Sequence, residues 1–308
     1  MPDINDINGV AIANVAKVDA VTKANIANIN DLTIPSGFTG LLDTYTGAAA
    51  AYSVRLLRTA YTGDIMRVRR ASDNVEADVG FDGSNELSLT SPISNTSDAL
   101  SYTDFADFVD HTGTPTDAFV RYWYDQASTN DAGQPTQGKQ PQIYDATTGI
   151  ITANGKPAVD ADAVDYSGFP ISLGLSQPFT NFVVGENTVA LGSAQWYGFS
   201  PQMNAIFNAS IYAGTFLSTT VDLRNTEHMM WAVYNGTSSK LKAISPTTSQ
   251  EVSGNAGTDT NFNYLLRRRD SDQANNLRAN EIIFWDLEQS STNLSGIESN
   301  LDTYYQIT

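Results

Sequence analysis

The sequence has no cysteine and only two histidines, and these absences exclude several kinds of site. Without cysteine the chain forms no disulfide, no thiolate metal site and no cysteine nucleophile. His111 and His228 lie in unrelated segments, and neither follows the nucleophile elbow of a serine hydrolase. We therefore expect no serine–histidine catalysis, and we interpret both histidines as surface or turn residues.

Basic residues and long apolar runs are also scarce. The chain has 17 Lys and Arg against 34 Asp and Glu, which gives a net charge of -17. Nucleic acids and anionic membrane surfaces bind basic faces, so we expect neither as a partner. No apolar run approaches the roughly 18 residues of a membrane-spanning helix. The opening Met-Pro-Asp-Ile-Asn-Asp does not resemble a signal peptide, so we expect synthesis in a cytoplasm, without export or membrane insertion.

Segments rich in β-branched and aromatic residues, separated by short polar turns, indicate an all-β protein. The clearest strands cover 65–70 and 118–125, where apolar and polar side chains alternate. Apolar residues at helical spacing predict short helices over 52–57 and 101–109 and a terminal helix over 293–305. About twelve strands are expected, which suits a two-sheet jelly roll.

Residues 4–36 contain three copies of an eleven-residue repeat. Its first, fourth and seventh positions are aliphatic in every copy: Ile4, Ile7, Val10, Val15, Val18, Val21, Ile26, Ile29 and Leu32. Two conformations fit this register. Eleven residues are close to three helical turns, which allows an amphipathic helix, and the Asn and Asp residues allow a series of short strands and turns. We favour the strands, because Ile, Val, Thr, Asn and Asp are poor helix formers.

The repeat segment cannot bury its aliphatic edge by itself. We therefore predict that residues 1–36 attach the chain to another protein or oligomerise it through those nine residues, with a trimer favoured. A disordered leader is the alternative. The Pro-Ser-Gly sequence that ends the repeat marks the boundary, and residues 37–308 are expected to form the second domain.

The segment 51–74 resembles the opening of the catalytic-type domain of α-L-arabinofuranosidase B. The motifs that carry the resemblance are Tyr-Ser-Val-Arg-Leu-Leu-Arg at 52–58, Arg-Val-Arg-Arg-Ala-Ser-Asp-Asn at 67–74, Trp-Tyr-Asp-Gln at 123–126 and Asn-Gly-Lys-Pro-Ala at 154–158. The ending, 281–305, is similar to the last strand and helix of concanavalin A-like, laminin-G-type domains. The resemblance implies an all-β, concanavalin A-like jelly-roll β-sandwich, with a short helix before its first strands and a C-terminal helix.

Relatives of that domain without enzymatic activity occur in bacteriophage structural proteins. For an active enzyme, the resemblance implies a nucleophilic Glu in a Met-Glu-Ala-Ile-Tyr-like strand. The strand containing Met229, Met230 and Trp231 has no such Glu, and neither Glu227 nor Glu281 matches the motif. Because glycoside hydrolysis needs two carboxyl groups, we predict that the chain is not an enzyme and has no catalytic residues.

The function predicted from the sequence is that of a bacteriophage virion structural protein: a head fibre, decoration protein or tail component. The repeats would bind capsid or tail proteins, and the lectin-like sandwich would face outward from the virion surface. Weak host-glycan contacts on several copies would add up by avidity. Rings that stack on sugars are expected among Trp196, Tyr197, Tyr212, Trp231 and Trp285. The alternative for each is a place in the core, which we expect for most of them because alternating aromatic residues line the interior of a sandwich. For the function as a whole, the alternative is a glycoside hydrolase of arabinofuranosidase type or a free bacterial lectin.

No metal or cofactor motif is present, and we expect no cofactor. Calcium is the one cation considered, because the resemblance to laminin-G-type domains implies that loop carboxylates can bind it. Asp160, Asp162 and Asp165 are spaced loosely like oxygen ligands, although solvated turn acids explain them better. We interpret Asp125 and Gln126 as residues that hold the following loop through backbone hydrogen bonds, with a ligand contact as the alternative. A cluster of arginines is expected to pair with nearby carboxylates rather than bind anions: Arg55, Arg58, Arg67, Arg69 and Arg70.

Overall fold

The structure is a computed structural model that describes residues 38–161, 167–189, 194–267 and 275–308, together with six short strands between residues 6 and 33. The chain divides into two compact units, Met1–Gly40 and Leu41–Thr308. Within the described ranges, no helix combines the length and the apolar character needed to cross a bilayer.

The first unit contains three antiparallel hairpins built from two-residue strands. The strands are β1 (Asp6–Ile7), β2 (Val10–Ala11), β3 (Lys17–Val18), β4 (Val21–Thr22), β5 (Asn28–Ile29) and β6 (Leu32–Thr33). Each hairpin pairs the fourth and seventh positions of one repeat: Ile7 with Val10, Val18 with Val21, and Ile29 with Leu32. The described backbone thus adopts strands and not a helix. The first-position residues Ile4, Val15 and Ile26 lie outside the described residues.

The second unit is almost entirely antiparallel β-structure. Its helices are α1 (Leu41–Thr44), α2 (Phe105–Val109) and α3 (Ser291–Tyr305), with 3-10 turns at Gln137–Lys139 and Gly236–Ser238. Its strands are β7 (Ala48–Ser53), β8 (Met66–Arg70), β9 (Glu76–Val79), β10 (Ile93–Ser94), β11 (Ala118–Trp123), β12 (Ala132–Gly133), β13 (Gln142–Asp145), β14 (Gly149–Ile150), β15 (Thr152–Ala153), β16 (Lys156–Pro157), β17 (Val159–Asp160), β18 (Phe169–Pro170), β19 (Phe179–Asn187), β20 (Gln195–Ser200), β21 (Gln202–Asn204), β22 (Ser210–Tyr212), β23 (Phe216–Ser218), β24 (Thr226–Tyr234), β25 (Ser239–Ser245), β26 (Thr248–Gly254), β27 (Asn261–Leu265) and β28 (Leu277–Trp285).

These strands form two main sheets. The larger sheet has the order β10-β9-β8-β11-β13-β17-β28-β19-β24-β25-β26, and β7 also pairs with β28. The smaller sheet has the order β18-β27-β20-β21-β22-β23. The all-β sandwich predicted from the sequence is therefore confirmed.

Each face of the larger sheet contributes to a separate apolar core. One face packs against the smaller sheet through residues such as Val183, Ile282 and Trp196. The opposite face is covered by α3, which buries Phe182 and Trp231 among others. Because successive side chains of a strand point to opposite faces, Phe182 and its neighbour Val183 belong to different cores. Long strands such as β19 are therefore buried on both sides.

The structure confirms the clearest predicted strands and the terminal helix, and it corrects two predicted helices. It also has 22 strands in the described part of the second unit, where about twelve were expected, because many of them are only two or three residues long. The strands over 65–70 and 118–125 and the terminal helix are present. The helix predicted over 52–57 is wrong, because β7 extends to Ser53 and pairs with β28. The helix over 101–109 begins only at Phe105, because the side chain of Asp104 caps it by accepting a hydrogen bond from the Asp107 backbone N–H.

Candidate functional site

An open cleft of about 280 Å³ lies at one end of three adjacent strands of the larger sheet. Met66 is in register with both Val79 and Trp123, so the start of β8 meets the ends of β9 and β11. The loops that leave these strand ends form the cleft. Its lining residues are Tyr61, Gly63, Asp64, Asp78, Tyr124, Asp125, Ser128, Thr129 and Asp131.

Asp64 is a half-buried carboxyl group at the entry to β8. Burial and then the charge of Asp78 raise its pKa above the ordinary value, while a hydrogen bond from Ser94, 3.3 Å away, acts in the opposite direction. The carboxyl of Asp64 therefore keeps its proton to a higher pH than a free aspartic acid. A group of this kind can donate a proton to a substrate.

Asp78, on β9, is buried behind Asp64 and is held by three donors. Its Oδ1 accepts hydrogen bonds from Arg67 Nη1 at 3.0 Å and from the Tyr124 hydroxyl at 2.7 Å. Its Oδ2 accepts one from Asn95 Nδ2 at 2.7 Å. Arg67 also forms an ion pair with Asp78 at 3.0 Å, so this carboxylate is fixed by its partners, whereas Asp64 has a single weak donor. Carboxyl groups in unlike environments are a usual basis for acid and base roles.

Asp125 is buried and is occupied in shaping the wall of the cleft. Its carboxylate accepts backbone hydrogen bonds from Ala51 at 2.8 Å, Ala127 at 2.8 Å and Asn130 at 3.1 Å. It therefore holds the loop that follows β11, as the sequence predicted. Gln126 bonds a different segment: its Oε1 accepts from the Leu57 N–H at 2.8 Å.

Asp131 is the exposed carboxylate of the cleft. Its Oδ1 accepts a hydrogen bond from the Asp125 backbone N–H at 3.0 Å, which fixes its position at the end of the loop. Because it is open to solvent, its carboxylate can reach a ligand in the cleft.

Aromatic rings supply the remaining surface. Tyr61 and Tyr124 are half-buried, and Tyr122 stacks parallel to Tyr124 with ring centroids 6.3 Å apart. Burial, more than any neighbouring charge, raises the pKa of both Tyr61 and Tyr124, so their hydroxyls stay neutral donors. Tyrosine faces beside carboxylate acceptors form a surface that suits a sugar, which has C–H faces and a rim of hydroxyls.

The aromatic residues predicted from the sequence lie elsewhere, and four of them are buried. Trp196, Tyr197, Trp231 and Trp285 have 0%, 0%, 3% and 0% of their surface exposed, so none can present a ring face to a sugar. Their polar atoms bond inside the protein; Trp231 Nε1, for example, donates to Glu298 at 2.9 Å. Tyr212 is half-exposed and packs against the exposed ring of Phe216. The aromatic surface that could contact a sugar is therefore that of Tyr61 and Tyr124 in the cleft, and not that of the residues predicted from the sequence.

Several other candidate residues serve the fold. The sequence predicted that His228 is a surface or turn residue, and this prediction is wrong. His228 is fully buried on β24 and accepts a hydrogen bond from Trp196 Nε1 at 3.1 Å. Glu281 is buried in an ion pair with Arg55. Glu227 is half-buried and lies opposite Glu186 in the sheet register.

The residues considered for calcium do not form a site in the part of the chain that the structure describes. Asp160 is buried and pairs with Arg278 at 3.1 Å, while Asp162 and Asp165 lie outside the described residues. Among the described residues, no three acidic or histidine side chains converge as a metal site would require.

The expected pairing of the arginine cluster with nearby carboxylates holds for two of its members, since Arg67 bonds Glu76 and Asp78 and Arg70 bonds Asp73. The other three differ: Arg55 pairs with the distant Glu281, Arg69 bonds the amide oxygens of Gln140 and Asn74, and Arg58 Nε is buried without a hydrogen-bond partner in the part of the chain that the structure describes.

No family model matches the sequence, and no curated protein matches it either. Solved structures do match. The chain shares its fold with GH54 α-L-arabinofuranosidases. One, soaked with 4-nitrophenyl α-L-arabinofuranoside, has 12% identity and a TM-score of 0.58 over 85% of this chain and 64% of its own. Another, in complex with arabinofuranosyl-α-1,2-xylobiose, has 11% identity, a TM-score of 0.56 and the same coverage. The chain thus spans less than two thirds of the length of those structures.

This finding corrects the expectation that the chain is not an enzyme. The solved structures with this fold include GH54 α-L-arabinofuranosidases, so the fold gives no ground for excluding catalysis. The absence of one strand motif is also weak evidence, because a pair of carboxyl groups can come from other strand ends. The cleft contains such groups on the loops around β8, β9 and β11.

Proposed function

We propose that this chain is a carbohydrate-active β-sandwich that binds a neutral furanosyl glycan in the cleft and hydrolyses its glycosidic bond. The observation that carries the proposal is that Asp64, whose pKa is raised, and the exposed Asp131 line the same cleft together with two tyrosines. The shared fold with arabinofuranosidases supports an arabinofuranosyl group as the substrate. A cleft lined by four aspartates repels anionic sugars, so a neutral glycan fits its charge.

The residues have distinct roles in this reaction. Asp64 protonates the glycosidic oxygen as the C–O bond breaks. The negative charge of Asp131 stabilises the positive charge that develops on the sugar ring. Asp131 then acts either as the base that takes a proton from the attacking water or as the nucleophile that bonds to the sugar before water releases it. Water supplies the hydroxyl of the released sugar, and its proton returns to the carboxylates. Asp78, fixed by Arg67, disfavours a second negative charge at Asp64.

Two substrates with different leaving groups test the role of Asp64. We expect the wild type to hydrolyse both 4-nitrophenyl α-L-arabinofuranoside and arabinofuranosyl-α-1,2-xylobiose. Asp64→Asn should lose a factor of about 10² to 10⁴ on the oligosaccharide and much less on the aryl substrate, because nitrophenolate leaves without protonation. Asp131→Asn should slow both substrates. Asp222→Asn, at an exposed carboxylate outside the cleft, is the matched control.

The opposite results would refute the proposal. If the wild type neither binds nor cleaves either compound, the cleft is not a furanoside site. If Asp64→Asn reduces both rates to the same degree, Asp64 is not the proton donor. If the wild type binds the oligosaccharide in the cleft without cleaving it, the function is that of a lectin and the hydrolytic part of the proposal fails.

A virion structural protein is a second candidate, and the hairpins of the first unit favour it. Three hairpins with the same pairing of aliphatic positions offer three equivalent contact points to sister chains or to a capsid or tail protein. Light scattering on the full chain and on residues 38–308 tests this candidate. A trimeric full chain with a monomeric truncation supports assembly through the repeats. An oligomer that survives the truncation contradicts it.

A further inference from the structure

The strand β11 contains a β-bulge just before the tyrosine that lines the cleft. Two consecutive residues of β8, Arg67 and Val68, pair with Tyr122 and Val120 of β11. Arg121 is therefore an extra residue, which the regular alternation of side chains along a strand does not accommodate. A bulge of this kind turns the side chains that follow it, and bulges are common beside active sites.

Beyond the bulge, Tyr122 and Tyr124 point away from the core between the two sheets. Trp123, which separates them in sequence, packs in that core against Phe169 of β18, so its two neighbours point to the opposite face. Tyr122 lies opposite Gly133 of β12, and a Cβ on Gly133 would be 2.6 Å from the Tyr122 ring. The glycine therefore leaves the space that this ring occupies.

The ring of Tyr122 contacts both the bulge residue and the cleft. The rings of Tyr122 and Tyr124 are parallel to within 4°, with centroids 6.3 Å apart. The guanidinium carbon of Arg121 lies 4.7 Å from the centroid of the Tyr122 ring. Offset parallel rings and cation–π contacts are both attractive. Tyr122 thus links Arg121 to Tyr124, which lines the cleft.

Charged side chains connect the same residues by a second route. The Tyr124 hydroxyl donates to Asp78 at 2.7 Å, and Arg67 bonds Asp78 at 3.0 Å and Glu76 at 2.8 Å. Glu76 in turn lies 3.8 Å from Arg121 Nε. The contacts form a closed ring of six side chains on one face of β8, β9 and β11: Tyr122, Tyr124, Asp78, Arg67, Glu76 and Arg121. Of these six, Tyr124 and Asp78 line the cleft.

We propose that Tyr122 is a positioning residue, which holds the ring of Tyr124 in place for the glycan. The inference rests on the proposed function, because it assigns to Tyr124 a contact with the sugar ring. A side chain that is fixed before binding loses little freedom when the ligand arrives, so Tyr122 raises the affinity without touching the ligand. This role needs the ring of Tyr122 and not its hydroxyl.

Kinetics on arabinofuranosyl-α-1,2-xylobiose measure the effect of the Tyr122 ring. Tyr122→Ala should raise KM about 3- to 10-fold and leave kcat within about twofold, because the lost order weakens binding of the substrate and of the transition state alike. Tyr122→Phe keeps the ring and should keep the wild-type KM. Gly133→Ala should raise KM as Tyr122→Ala does, because its Cβ displaces the Tyr122 ring. Gly138→Ala, with nothing within 4 Å of its Cβ, is the matched control.

Crystal structures of the free variants test the positioning without any substrate. In Tyr122→Ala and in Gly133→Ala, the Tyr124 ring should leave its place and its hydroxyl should no longer lie within hydrogen-bond distance of Asp78. In Tyr122→Phe and Gly138→Ala, the Tyr124 ring should stay where it is in the wild type.

Two results would overturn the inference. The first is an unchanged KM in Tyr122→Ala with Tyr124 in its wild-type place, which would show that Tyr122 does not hold this ring. The second is a Tyr122→Phe variant as impaired as Tyr122→Ala, which would make the hydroxyl a ligand contact. A wild type that neither binds nor cleaves the oligosaccharide would instead refute the proposed function, and the crystal structures would still decide whether Tyr122 holds Tyr124.

Discussion

Arg55 and Glu281 form a buried ion pair that ties the segment after β7 to the last strand of the sandwich. Arg55 Nε lies 2.8 Å from Glu281 Oε2, and Ser53 and Tyr305 each donate a hydroxyl hydrogen bond to the same oxygen at 2.9 Å. Burial lowers the pKa of Arg55, but the charge of Glu281, the electrostatic effect of Tyr305 and the hydrogen bond to Glu281 raise it by more, so the net pKa is raised. The pair thus holds β7, β28 and α3 together.

Removing one partner of this pair should be costly. Arg55→Met or Glu281→Gln is expected to lower the free energy of unfolding by about 3 to 5 kcal/mol, because the other charge stays buried without its partner. The double variant Arg55→Met/Glu281→Gln should lose less than the sum of the two single variants. Urea denaturation of all four proteins measures this. Asp222→Ala, at the exposed pair with Arg224, should cost far less than either single variant. An equal cost would contradict the burial argument.

Gly185, on β19, leaves no room for a side chain. A Cβ at this position would lie 2.0 Å from the backbone oxygen of Arg278 and 2.7 Å from the ring of Trp196. Gly185→Ala should therefore destabilise the protein by about 3 kcal/mol or prevent folding. Gly83→Ala is the control, because nothing lies within 4 Å of its added Cβ. Thermal denaturation that gives the same midpoint for both variants would refute the close approach.

His228 should make the protein sensitive to acid. Burial lowers its pKa from 6.5 to about 4, while the carbonyl of Thr226 acts weakly in the opposite direction. Above pH 6.5 the imidazole is neutral in both states. As the pH falls toward 4, the unfolded chain binds a proton that the folded chain does not, so about 3 kcal/mol of stability is lost in this window.

The variant His228→Gln tests that account, since its amide oxygen can still accept from Trp196. The melting temperature should fall less between pH 7 and pH 4 than in the wild type. His111→Gln, at an exposed position, should leave the wild-type pH dependence unchanged. If His228→Gln and the wild type lose stability in parallel, the burial of a neutral imidazole is not the cause.

Asp125 should control the order of the cleft wall. Asp125→Ala removes the acceptor for the backbone N–H groups of Ala51, Ala127 and Asn130 and leaves them without their bonds. We expect a loss of about 3 kcal/mol or more and faster hydrogen exchange at those amides. Asp131→Ala, which removes one exposed acceptor, should change these exchange rates little. Unchanged protection in Asp125→Ala would show that the loop is held by other contacts.

Local patterns predicted the elements whose structure is decided locally. The alternation over 65–70 is enough to place Met66 and Val68 in the core and Arg67 on the other face. The prediction of a helix over 52–57 was wrong because the conformation of this segment depends on pairing with β28, near the other end of the chain. Tyr52 is buried because β7 pairs with β28, where Tyr52 lies opposite Ile282. The spacing of apolar residues within 52–57 contains no information about that long-range pairing.

The candidate site was harder to predict because it is assembled from three separate segments. Asp64, Asp78 and Asp131 meet only because β8 pairs with both β9 and β11. The sequence contained one usable signal: tyrosines and aspartates flank the ends of these strands, at 61–64 and 124–131. The sequence could not show whether Trp196 and Tyr197 are core residues or exposed rings, because both kinds of aromatic residue occur in strands with the same alternating pattern.

The most direct test of the account is a crystal structure of Asp64→Asn soaked with arabinofuranosyl-α-1,2-xylobiose. This variant should bind the sugar and hydrolyse it too slowly to degrade it in the crystal. We predict that the arabinofuranosyl ring lies in the cleft beside Tyr61 and Tyr124, with its glycosidic oxygen within hydrogen-bond distance of the side chain at position 64. An empty cleft, with the sugar bound elsewhere or absent at saturating concentration, would contradict the central claim.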